Sequence, residues 1–367
     1  MTPSRVRTPA AASAVSAVSA ASAASAASAA SVPAAPLAPL PQALLDPTLR
    51  LLRAEMERRR PAGGAGVGAM SREALLPPGK MLRPLLFVES AAAVGMRRED
   101  AVAAALGVEY LHVGSLVHDD VIDGDTLRRG RPTVAARFGA DNAIVAGDAL
   151  IMGTFQAVAD CADSGIPEHR LLAVVQALAR AGTDLCRGQV MEEELRADHG
   201  CGLDRYLAMI ALKTGALFRG ACLGGVLLAG GSAAEQDAVT RFAGHLGLAF
   251  QMSDDLLPHV SDTAASGKPQ LSDIANNRPT FALLLCRQAA GPGDRQRLAE
   301  ALSGGRPAAE ALETVRHLLV VTGALERAKQ EARTQVALAK TALRGLPEGR
   351  GRDVLAAVAD LSVDRER

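Results

Sequence analysis

From residue 42 onward, apolar side chains recur at three- and four-residue spacing, the period of an amphipathic helix. Leu44, Leu45, Leu49, Leu52 and Met56 form the first such run, and Pro61 with the glycines through Gly68 ends it. The same spacing predicts helices near 82–95, 99–123, 141–160, 168–195, 204–230, 234–257, 279–290, 295–303, 308–319, 322–344 and 352–361, most of them separated by Gly or Pro. No period-two alternation predicts a strand, and no repeat of 20–50 residues is present. The expected fold is all-α, a helical bundle.

Residues 1–40 follow another pattern. Ser recurs every third position from Ser13 to Ser31 among alanines, Pro33, Pro36 and Pro39 follow, and no acid precedes Asp46. So few large apolar side chains cannot offset the entropy of ordering a chain. The segment reads as a disordered tail ahead of one helical domain over 41–367. Its Arg5, Arg7, many serines and lack of acids are also those of a transit peptide. The expected location is the cytoplasm, or an organelle if the tail is such a signal.

Composition narrows the partners. Hydrophobic residues make up 49% and aromatics 2%, with no Trp, so the core must be aliphatic. Forty basic and forty acidic residues cancel, which argues against nucleic acid but leaves room for small anions met by a local cation cluster. The five cysteines, Cys161, Cys186, Cys201, Cys222 and Cys286, show no paired metal spacing and read as reduced thiols. No apolar run reads as a membrane span; the stretch around Gly215–Gly230 is interrupted by Arg219 and predicts a buried helix.

The most informative segment is Leu111–Thr133, LHVGSLVHDDVIDGDTLRRGRPT. Asp119, Asp120 and Asp123 form DDxxD, and the i, i+4 pair Asp119 and Asp123 shares one helix face. Carboxylates so crowded among Leu116, Val117, Val121 and Ile122 are costly unless a cation or water meets them. Hard oxygen ligands suit Mg²⁺, which binds through one or two carboxylates plus substrate phosphates. Taken alone, the cluster is equally a solvated acidic helix end. Arg128, Arg129 and Arg131 follow within one or two turns, and guanidinium forks match phosphate oxygens. Together they make a metal–diphosphate site.

This stretch resembles the first aspartate-rich region of the trans-isoprenyl diphosphate synthases, the polyprenyl synthetase family, and the resemblance extends over roughly 75–290. It implies a bundle around a deep cavity, several Mg²⁺ ions, and condensation of an allylic diphosphate (dimethylallyl, geranyl or farnesyl) with isopentenyl diphosphate. It implies a homodimer as well. By resemblance, Lys80 and Arg83 of GKMLRP, with His112 and Arg129, hold isopentenyl diphosphate. Arg128, with Lys213 and Thr214 of KTGALF, holds the allylic diphosphate, and Gln189 lines the cavity. In QMSDDLL, Gln251 precedes Asp254 and Asp255, the second metal-binding pair; the family's third aspartate is replaced by Pro258, which also removes a helix N–H. Gly267, Lys268 and Pro269 match a diphosphate-contacting loop, Asp273 an acidic position, and Arg278 stands where a lysine is common. The residues given catalytic roles are Asp119, Asp120, Asp123, Lys213 and Asp254, and the metal ligands Asp119, Asp120, Asp123, Asp254 and Asp255.

Small residues at Gly114 and Ser115, where bulky aromatics in the family stop growth at fifteen carbons, predict a product of twenty carbons or longer. Two other readings stay open at this point. One is a terpene cyclase, against which Lys80, Arg83 and His112 count, because a cyclase needs no second diphosphate site. The other is a non-catalytic partner subunit, suggested by Pro258.

Overall fold

The computed structural model describes residues 42–59, 66–198, 200–260, 278–303 and 307–364. Within them the chain is helical nearly throughout, and the predicted helices appear within a few residues of their expected limits. In chain order they are α1 (Gln42–Arg58), α2 (Val67–Leu75), α3 (Leu82–Ala93), α4 (Arg98–Asp123), α5 (Val134–Phe138), α6 (Ala140–Ala159), α7 (Glu168–Ala197) and α8 (Leu203–Lys213). Then come α9 (Gly215–Ala229), α10 (Ala233–Val260), α11 (Phe281–Ala289), α12 (Pro292–Leu302), α13 (Ala308–Val321), α14 (Ala324–Ala342) and α15 (Arg350–Val363).

Apart from Arg219, helix α9 is apolar on every side, as a helix must be when neighbours surround it. It packs on α3, α7 and α10, and Phe218, Ala221, Cys222 and Val226 are fully enclosed. Helix α4 lies along α6, and α10 along α14. One apolar cluster joins α1, α3, α4, α6, α7, α9 and α10; a second joins α8, the end of α10 and α11–α14. The core is mainly aliphatic, yet its bulkiest fully buried side chains are aromatic: Tyr206, Phe87, Phe218, Phe242 and Phe281.

Three features depart from the pattern read along the sequence. Helix α2 was hidden by the glycines before it. The expected single helix over 204–230 is broken at Thr214, where α8 and α9 meet at 43°. A helix end leaves carbonyls without partners, and Arg219 Nη1 donates to one of them, the Ala211 carbonyl, at 2.9 Å. Third, a two-residue antiparallel ribbon, β1 (Leu127–Arg128) and β2 (Arg131–Pro132), stands where no strand was expected. Its turn residues Arg129 (φ 53°) and Gly130 (φ 75°) both take positive φ, the geometry of a tight hairpin of this twist.

By length and hydropathy alone, two helical segments among the described residues are long and apolar enough to cross a membrane, Arg98–Asp123 and Ala140–Ser164, contrary to the expectation of none. The first spends that character on the core, with 72% of its apolar window buried; the second buries 39%.

Candidate active site

The end of α4 carries the first aspartate cluster, and each carboxylate has a different environment. Asp119 is half-buried. Burial raises its carboxyl above the ordinary range, Asp123 and Glu192 add to the rise, and Lys213 and Arg128 oppose it. Asp120 turns inward, 4% exposed, and accepts from Arg128 Nε at 2.5 Å. Asp123 is held on both oxygens: Arg196 Nη2 at 3.1 Å and Arg278 Nη2 at 2.6 Å. Burial alone would raise Asp123, but these two arginines more than offset it and hold it below the usual range.

Lys80 and Arg83 flank the start of α3. Met81 between them takes a left-handed conformation (φ 50°), uncommon for a residue with a side chain and typical of functional sites. Arg83 lies over the Phe218 ring at 4.8 Å and meets His112 Nε2 at 3.1 Å. Burial, then the charges of Arg83, Arg129 and Arg128, push His112 well below its ordinary pKa. The ring is therefore neutral, and because a guanidinium can only donate, Nε2 accepts and Nδ1 carries the proton. Arg129 folds back onto Gly79. A Cβ there would sit 2.5 Å from the guanidinium, so the glycine is what lets Arg129 join this cation group.

The break at Thr214 brings the remaining residues together. Lys213 Nζ pairs with Glu192 at 2.6 Å, and Glu192 with Arg196 at 3.3 Å. Thr214 Oγ1 donates to Gln251 Oε1 at 2.7 Å, and Gln251 Nε2 to Asp255 Oδ1 at 2.9 Å. Asp255 is buried and also accepts from the Phe281 N–H at 2.7 Å and from the Tyr206 hydroxyl. Asp254, one position earlier, is exposed. The Gln189 amide oxygen is buried with no hydrogen-bond partner among the described residues. Lys268, with Gly267, Pro269 and Asp273, lies outside the described residues.

Among the described residues no three metal-binding side chains stand close enough to hold an ion by themselves. The all-oxygen donor set of Asp119, Asp123 and Asp254 still fits Mg²⁺, which takes few protein ligands when phosphates complete its shell. The buried, repelled charge on Asp119 is one that a cation would relieve. Besides Asp123, whose two oxygens face Arg196 and Arg278, two further expected ligands accept hydrogen bonds from the protein. The Asp120 carboxylate is tied to Arg128, and that of Asp255 to Tyr206, Phe281 and Gln251.

Sequence reading missed Glu192, Arg196 and Glu109. Glu192 and Arg196 form one i, i+4 pair among the many charges of MEEELRAD, and only the fold shows that they face the site. Glu109 is buried one turn before His112; burial raises its carboxyl, and Arg83 and Arg129 pull it back. An acid at that turn of an apolar helix was a visible signal.

A sequence model of the polyprenyl synthetase family matches residues 67–319. The chain belongs to that family. This polyprenyl synthetase is 37% identical to a short chain isoprenyl diphosphate synthase of Methanothermobacter thermautotrophicus over 78% of its own length and 87% of the relative's. It is 30% identical to an octaprenyl diphosphate synthase of Haemophilus influenzae, covering 88% and 96% of the two chains. A crystal structure of a polyprenyl synthase from Caulobacter crescentus, complexed with calcium and isoprenyl diphosphate, superposes with a TM-score of 0.77 at 28% identity, covering 89% of this chain and 96% of that one. The chain is an isoprenyl diphosphate synthase, a prenyl-transferring enzyme with the all-α fold of its relatives.

Proposed function

We propose that this synthase joins an allylic diphosphate to isopentenyl diphosphate with Mg²⁺, giving a linear prenyl diphosphate of twenty carbons or more. The observation that carries the reading is that two sets of cations meet near the end of α4, with Arg128 acting on both. Arg83 and Arg129, beside neutral His112, form the first, to which the exposed Lys80 would be added, and it suits a diphosphate whose double bond attacks. Lys213, whose charge acts directly on Asp119, forms the second with Thr214 and Arg128. A cyclase would need only the second.

Asp119, Asp123 and Asp254 would hold the metal, which supplies Lewis-acid neutralisation of the departing diphosphate. Holding metal would require Asp123 to exchange Arg196 and Arg278, whose guanidiniums would then meet the phosphate oxygens. Asp120 orients Arg128, and Asp255 orients Gln251 and through it Thr214. Lys213 steadies the allylic diphosphate. The protein's contribution is positioning and preorganised charge, with no dedicated base required.

We read residues 41–367 as one catalytic domain and 1–40 as a tail with no catalytic part. Exposed Ile144, Val145 and Met152 on α6, with Leu172 and Val190 on α7, support a homodimer in which a second copy covers these side chains. The test of the reading is mass spectrometry of products from dimethylallyl, geranyl and farnesyl diphosphate, each with isopentenyl diphosphate and Mg²⁺. Elongated diphosphates are expected. Cyclic hydrocarbons from an allylic diphosphate alone would replace this reading with a cyclase.

A further inference from the structure

Arg129 is one of the cations assigned above to isopentenyl diphosphate, yet among the described residues no ion pair holds its side chain. Its direction is set by the backbone of the β1–β2 turn and by the room that Gly79 leaves for it. Whatever keeps the hairpin over Gly79 therefore decides where that charge stands. Two side chains anchor the hairpin, one on each strand. Arg128 of β1 is held by Asp120 on α4. Arg131 of β2 is held by α2 and the residue after it. Its Nη2 meets Glu73 Oε1 at 2.8 Å, and its Nη1 donates to the Leu76 carbonyl at 2.6 Å. Glu73 is engaged on both oxygens, because Nη1 of Arg137, on α5 just beyond the hairpin, meets Oε2 at 2.6 Å.

Gly79 follows Leu76 by three positions. The two arms of the Arg131 guanidinium thus tie the hairpin that bears Arg129 to the segment that bears Gly79. A lone exposed ion pair would fix little. Glu73, however, is only 18% exposed and has a guanidinium on each oxygen, which fixes its direction. We propose that Glu73 is a positioning residue for isopentenyl diphosphate: by holding Arg131 it keeps the Arg129 guanidinium in place against Gly79. A shift of about 1 Å in a group that positions substrate is enough to weaken its action. This role rests on the assignment of Arg129 to isopentenyl diphosphate, and separate variants test the two.

The experiment is steady-state kinetics of the full-length enzyme with Mg²⁺, farnesyl diphosphate and isopentenyl diphosphate, each substrate varied in turn. The variants are Arg129→Ala, Glu73→Gln, Arg131→Gln and the double variant Glu73→Gln with Arg129→Ala. Arg129→Ala should raise KM for isopentenyl diphosphate by about tenfold or more. Glu73→Gln, which keeps the shape and removes the charge, should raise it by about threefold or more, with kcat and KM for farnesyl diphosphate within about twofold of the parent. Arg131→Gln should do the same, and it carries the test if Glu73→Gln proves insoluble. The double variant should match Arg129→Ala, because Glu73 acts through Arg129. An unchanged KM for isopentenyl diphosphate in Glu73→Gln and Arg131→Gln overturns the proposal. So does an equal rise in both KM values, or a Glu73→Gln effect that persists in full when Arg129 is already absent; either makes Glu73 a structural residue only. A parental KM for isopentenyl diphosphate in Arg129→Ala would overturn the assignment of Arg129, and the role of Glu73 with it.

Discussion

Arg278 and Asp123 stand 155 positions apart in the chain, yet the arginine Nη2 lies 2.6 Å from the Asp123 carboxylate. With Arg196 on the other oxygen, the pair ties the segment before α11 to the end of α4. Both side chains are mostly enclosed, so the pair is screened less than a surface pair. Arg278→Gln should therefore destabilise the ligand-free enzyme by about 1–2 kcal/mol, the remaining Arg196 limiting the loss. Because Asp123 is held below its ordinary pKa, this contribution is full above the unfolded value and is lost as pH falls through the folded one. Urea titrations of parent and variant should differ near neutrality and converge in strong acid. A constant gap at every pH would contradict the assignment.

Two half-buried histidines give a second pH signature. His112 lies well below its ordinary value, and burial with the Arg316 charge brings His259 down to about 4. Both are neutral when folded and take up protons more readily when unfolded. Their contribution is thus present above about pH 6.5, the unfolded value, and declines as pH falls toward 4. Stability of the parent should fall across this interval, and His112→Gln with His259→Gln together should flatten the fall. A double variant as steep as the parent would show that other groups carry it.

Chain length separates two neighbouring residues that looked equivalent in the sequence. A Cβ on Gly114 would meet the Gly147 carbonyl at 2.8 Å and Ile151 at 3.1 Å, so Gly114 serves the packing of α4 on α6. Ser115 is half-buried and one turn before Asp119 on the same face of α4. Ser115→Phe should shift the main product toward fifteen carbons at nearly parental stability. Gly114→Ala should leave the product unchanged while costing about 1–3 kcal/mol of stability from overpacking. Product chromatography and thermal melts of both variants decide this; a shortened product from Gly114→Ala would reverse the assignment.

What the sequence alone makes legible follows from the range of each interaction. Helix α4 and its carboxylates were legible because apolar period and DDxxD are local. The break at Thr214 was not, because Lys213 and Thr214 continue the helical pattern and the bend depends on Arg219 reaching back to Ala211. The hydrogen bonds of Asp255 were not legible, because Tyr206 lies 49 positions earlier and Phe281 26 positions later. Glu192 was one acid among several until the fold set it beside Lys213. His118, beside the aspartate pair in the sequence, meets the Ile144 carbonyl 26 positions later at 3.1 Å, a contact set by the fold.

Pro258 sits inside the last turns of α10 without ending it, and its carbonyl accepts from Arg316 at 2.8 Å. It occupies the position of a carboxylate one turn after Asp254. Pro258→Asp should restore an oxygen ligand and lower the Mg²⁺ concentration for half-maximal rate by a few-fold, on the order of 1 kcal/mol. An unchanged Mg²⁺ titration would mean that this position takes no part in metal binding.

The central claim is that two cation groups serve two different diphosphates, and steady-state kinetics tests it most directly. Labelled isopentenyl diphosphate is incorporated with farnesyl diphosphate as partner, each substrate being varied in turn, for the parent, Arg83→Ala and Lys213→Ala. Arg83→Ala should raise KM for isopentenyl diphosphate by about tenfold or more and leave that for farnesyl diphosphate within a few-fold. Lys213→Ala should do the opposite and also lower kcat, because Lys213 acts on the charge that develops as the allylic bond breaks. Equal changes in both KM values for each variant, or no incorporation by the parent enzyme, would contradict the account.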